Sequence, residues 1–166
     1  MTAGATYTPI ATNTVSGSST NTITFSSIPQ TYTDLILVTN WSGGDYSAIR
    51  VNGDTGSNYS ETLVAGAGSS VGSARNSNYN LFDFQVAGQS NVEMTQIVQF
   101  MNYSNATTYK TLLARLSNAA SGSYVGAHAL LWRSTSAITS ITFFNQTSSL
   151  YWAAGSTFTL YGIASA

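Results

Sequence analysis

Phe82-Asp83-Phe84-Gln85-Val86 places an apolar side chain at every second position, the period of a strand with one packed face and one wet face. The same alternation returns in Ile23 and Phe25, in Ile49 and Val51, and in Phe158 and Leu160. Between these segments stand Ile28-Pro29-Gln30, Ser42-Gly43-Gly44-Asp45, Asn52-Gly53-Asp54 and Ala154-Gly155-Ser156, turn sequences in which Gly and Asn can take positive φ. The pattern predicts strands over 6–11, 21–26, 33–41, 47–52, 58–65, 79–87, 92–103, 108–117, 123–133, 137–145 and 156–163, and no helix longer than a turn. The expected fold is therefore all-β, a single antiparallel β-sandwich of jelly-roll type with about eight to ten strands. Residues 66–78, dominated by Gly, Ser and Asn, read as one long loop and the most mobile segment.

Working outward, 166 residues and 17.5 kDa fit one domain, 1–166, with 1–14 a candidate N-terminal arm. Hydrophobic residues make up 43% of the chain, enough for a core, and only 7% are charged, against about 25% in an average soluble protein. Polarity comes instead from Ser, Thr and Asn, about 37% of the chain. Five basic and six acidic residues leave a formal charge of −1, too little to displace counterions from a row of phosphates, so no nucleic-acid partner is expected. The absence of cysteine excludes disulfides, thiol catalysis and thiolate zinc sites. Apolar runs such as Leu35-Ile36-Leu37-Val38 are far below the ~18 residues a bilayer span requires, so no membrane partner is expected. Met1-Thr2-Ala3-Gly4-Ala5-Thr6 lacks the basic and apolar regions of a secretory signal.

Several motifs resemble catalytic or metal sites and are better explained otherwise. Gly68-Ser69-Ser70-Val71-Gly72 matches the G-x-S-x-G nucleophile elbow, with Asp83 and His128 following in hydrolase order, but it lacks the entering strand and leaving helix that expose such a serine. His128, the only histidine, alternates with apolar neighbours and reads as a structural residue. Asp45, Asp54, Glu61, Asp83 and Glu93 offer carboxylates, yet nothing in the spacing pairs two across a cleft. Asn52 to Glu61 is rich in oxygen ligands but does not fit an EF-hand register, and a tight capped turn is the simpler reading. Five Asn-x-Ser/Thr sequons, at Asn40, Asn58, Asn102, Asn105 and Asn145, are close to the number chance gives at this composition. The protein is thus expected not to be an enzyme, to need no cofactor or metal, and to act by binding.

Two runs are apolar on both faces, Leu35–Val38 and Ala129–Trp132, which fits central strands covered by a second sheet or by a neighbouring subunit. Trp41 and Trp152 are candidates for stacking on sugars, with Trp152, in a turn-like stretch, the better exposed.

Taken as a set, Phe25–Leu35 with its Ile28-Pro29-Gln30 turn, Arg50–Ser60 with Asn52-Gly53-Asp54, Tyr109–Arg115, Leu131–Ile141 and Ala153–Ile163 resemble a β-sandwich domain of virion structural proteins from tailed bacteriophages. The resemblance covers nearly the whole chain. It implies either a stand-alone capsid decoration (cement) protein or the C-terminal module of a longer tail- or head-fibre protein. With no shaft-like segment ahead of the domain, the decoration protein is the expectation: a homotrimer on the outside of the head, bound to the major capsid protein, made in the cytoplasm of the infected bacterium. Tyr7, Pro9 and Ile10 are then the candidate capsid-contact residues of the arm. The fibre alternative would bind host-surface carbohydrate through Trp41 and Trp152.

Overall fold

The computed structural model describes residues 6–17, 19–87, 91–118 and 124–164. They form twelve strands and no helix: β1 (Tyr7–Thr14), β2 (Thr22–Phe25), β3 (Asp34–Trp41), β4 (Tyr46–Val51), β5 (Tyr59–Ala67), β6 (Ser70–Tyr79), β7 (Phe82–Ala87), β8 (Met94–Phe100), β9 (Lys110–Asn118), β10 (Tyr124–Trp132), β11 (Ile141–Asn145) and β12 (Thr157–Ile163). An eight-stranded sheet in the order β1-β12-β3-β8-β9-β10-β5-β6 faces a four-stranded sheet in the order β2-β11-β4-β7, and every pairing is antiparallel. The all-β sandwich read from the alternation is the fold observed. Along the chain β2, β4, β7 and β11 lie in the small sheet, and the strands between them return to the large one.

Alternation dictates the packing. The inward faces carry Leu35, Leu37, Val98, Phe100, Leu112 and Leu130 from the large sheet, against Ile23, Phe25, Ile49, Phe82, Phe84 and Phe143 from the small one, all buried. Each side chain of this size contributes roughly 1.5–3 kcal/mol on burial. Gly162 on β12 is required by a close approach, since a Cβ there would lie 2.3 Å from the Tyr32 ring.

Two expectations need correction. Residues 66–78 are not a loop: β5 turns at Gly68-Ser69 into β6, which pairs along β5 from Ala67↔Ser70 to Tyr59↔Tyr79. Gly68 has φ 58° and Ser69 is not among the positive-φ residues, as a two-residue type II′ turn requires. The strand escaped notice because nine of its ten residues are exposed, so it needs no apolar alternation. The second concerns the arm. Residues 7–14 form an edge strand on β12, in which Ile10 packs against the core; only Tyr7 and Pro9 of the three expected contact residues are exposed. Residues 1–5 lie outside the described residues.

Candidate functional site

The chemistry-bearing residues do not converge. Ser70 is exposed beside the β5–β6 turn, Asp83 is on β7 and accepts a hydrogen bond from Gln146 Nε2 at 2.8 Å, and His128 is 2% exposed between the sheets. No Ser-Asp-His relay connects them. The His128 ring packs on Phe84 with centroids 5.6 Å apart, and neither ring nitrogen has a hydrogen-bond partner among the described residues. Burial pushes its pKa down to about 4, so it is neutral at pH 7.

The carboxylates are equally dispersed. Glu61 points inward from β5 and accepts from Asn76 Nδ2 at 2.7 Å, whereas Glu93 is exposed beside Asn40 and Asp45 accepts from the Thr147 hydroxyl. Asp54 is committed to its turn, accepting from Gly56 N at 2.8 Å, Asn58 Nδ2 at 2.9 Å and Trp132 Nε1 at 2.6 Å. Burial alone would raise its pKa, but these donors, Trp132 foremost, outweigh that and hold it below the usual value. Among the described residues no three His, Cys, Asp or Glu side chains gather as a metal site. Lys110 is also accounted for: it is buried, and its Nζ donates to the carbonyls of Thr108 at 2.7 Å and Thr135 at 3.0 Å.

The expected sugar-stacking residues are corrected outright, since Trp41 is 1% and Trp152 0% exposed. The Trp152 backbone N–H donates to Thr20 O and that of Ala153 to Ser42 O, which pins the turn over the end of the sandwich. The indole then drops inside, with its centroid 4.6 Å from Phe158 and 5.5 Å from Phe143, while Trp41 meets Phe143 at 6.3 Å. A turn-like sequence kept the ring off a strand without keeping it at the surface.

What the fold does leave open is the outer face of the large sheet. The second faces of the two-sided strands lie there: Ile36 and Val38 on β3, Ala129 and Leu131 on β10. The register extends them into rows. Val38, Ile97, Arg115, Ala127, Val64 and Ser73 follow one another across six strands, and Ile36, Gln99, Leu113, Ala129 and Thr62 form the next row. Val125, Val64 and Leu113 are 63%, 51% and 50% exposed. Two adjoining hollows of about 590 and 760 Å³ sit on these rows and share Val64, Ile97, Arg115 and Ala127 in their walls; Tyr7 borders the second. The Arg115 side chain stands near the middle, with no side-chain hydrogen bond or ion pair to a described residue. Exposed apolar side chains gathered on one face make it the candidate interaction surface of this fold.

Among the described residues no helix is long and apolar enough to cross a membrane. Compared with known proteins, the chain matches no family model, no curated protein and no solved structure.

Proposed function

We propose that this is a structural protein of a tailed-phage virion, a decoration protein that sits on the outside of the head, binds the major capsid protein and has no catalytic role. The observation that carries the proposal is the apolar outer face of the large sheet, whose exposed Val64, Leu113 and Val125 are covered by nothing among the described residues. The likeness of Phe25–Leu35, Arg50–Ser60 and the later segments to phage virion sandwiches supplies the setting. The proposed assembly is a trimer. A two-fold stacking centred on this face would press Arg115 against its own copy, whereas an offset three-fold contact places each Arg115 against a different part of its neighbour. Three modest capsid contacts joined in one trimer then act as a single strong one. Jelly-roll winding belongs to the same proposal: the order β2-β11-β4-β7 opposite β3-β10-β5-β6 fits it if β8 and β9 are counted as additions beside β10.

The fibre alternative loses its stated residues, because buried Trp41 and Trp152 cannot stack on a sugar. Co-sedimentation with empty heads of the phage that encodes the chain is the test. Saturable binding of trimers to heads is expected; a folded protein that ignores heads, or that labels only the tail tip, overturns the proposal.

A further inference from the structure

The four sheet edges are unequally protected. Edge β1 carries Pro9 and a register shift between Pro9 and Ala11. Edge β2 is four residues long, and the β4–β7 ladder shifts register between Tyr46 and Ala48. Proline, bulges and shortness are the devices that stop an edge from pairing with another chain. Edge β6 has none of them over Ser70–Ser77: its one register shift lies at the far end, and Arg75 is its one charge.

We infer that β6 pairs antiparallel with β6 of a second copy, about a two-fold axis at Ser73. The turn sets the phase. In a two-residue hairpin the closing pair, Ala67–Ser70, is hydrogen-bonded, so Ser70, Gly72 and Ala74 point their backbone groups at β5. Val71, Ser73 and Arg75 point theirs outward. An axis at Ser73 matches these three residues with their copies, Val71 opposite Arg75 and Ser73 opposite Ser73. The side chains in reach are small, with Gly72, Ser73 and Ala74 at the centre, so the edges meet without a clash. The two Arg75 side chains end about 14 Å apart, beyond the ~8 Å screening length at physiological salt. The aliphatic stem of each Arg75 covers the partner's Val71, which at 82% is the most exposed large hydrophobic among the described residues. The contact uses the sheet edge and does not rest on the virion proposal; if the face makes trimers, the edge joins them in pairs.

The test is the solution mass of the full chain with two single substitutions. Ser73→Pro removes only an outward N–H, so the fold should survive by circular dichroism while the number of copies halves. If that variant fails to fold, Val71→Lys, which sets two cations opposite each other across the edge, replaces it with the same expected halving. Because the chain has no cysteine, Ser73→Cys gives a clean cross-link probe. Paired Cα atoms about 5.5 Å apart are within disulfide reach, so mild oxidation should link Ser73→Cys into pairs and leave Ser77→Cys unlinked. A folded variant of unchanged mass, an odd wild-type copy number, or equal linking at both cysteines overturns the inference. Loss of head binding with the pairing intact strikes the virion proposal alone.

Discussion

His128 and Asp54 make stability depend on pH in two separate windows. His128 titrates at about 4 when folded, against 6.5 unfolded, because burial disfavours the imidazolium. Between those values the unfolded chain binds the extra proton, so stability is complete above about pH 6.5 and falls as pH drops towards 4, by about 3 kcal/mol in all. His128→Leu should flatten that stretch of a urea-midpoint profile; a slope that persists in the variant would assign it to another group. Asp54, held low by Trp132, Asn58 and Gly56, contributes stability that is present above its usual pKa of 3.8 and is lost as pH falls further. The tryptophans make a second residue-level prediction. Trp152→Ala should lose about 3–5 kcal/mol. Trp152→Phe should lose far less, because its indole N–H has no acceptor among the described residues, and urea unfolding separates the two. A surface sugar platform would show the reverse, with stability unchanged and glycan binding lost.

At the scale of elements, Gly162 and Tyr32 form a coupled pair. Gly162→Ala should destabilise by more than about 2 kcal/mol through overpacking, with most of that recovered when Tyr32→Ala is added. Additive losses in the double-mutant cycle would show that the contact is not the cause. The elements also mark what a sequence can and cannot reveal here. Strands with one buried face, such as Phe82-Asp83-Phe84, announce themselves because burial imposes the period on the residues. Strand β6 buries almost nothing, so its residues are free of that constraint, and the legible signal was the Gly68-Ser69 turn dipeptide alone. Trp152 was misplaced for a related reason: what buries it is a set of non-local hydrogen bonds to Thr20 and Ser42. No local pattern encodes them.

Among the described residues the molecule is an eight-stranded sheet covered on one side by four strands and uncovered on the other, and the proposed function rests on that asymmetry. The doubly apolar runs Leu35–Val38 and Ala129–Trp132 were legible in sequence, but whether a second sheet or a second subunit covered their outer sides was not, because both bury the same residues. The rows through Ile97, Ala127 and Val64 emerge only when the register joins them. Leu113→Asp with Val125→Asp leaves the interior untouched, since both side chains are at least half exposed, so melting of the isolated chain should change by no more than a surface substitution does. Light scattering at tens of micromolar chain tests the assembly face most directly. With the edges also paired, the account predicts that the wild type has six times the 17.5 kDa chain mass, and that the double variant loses the three-fold assembly, falling to twice the chain mass, while remaining folded. A wild type that stays at 17.5 kDa, or a double variant of unchanged mass, would contradict it.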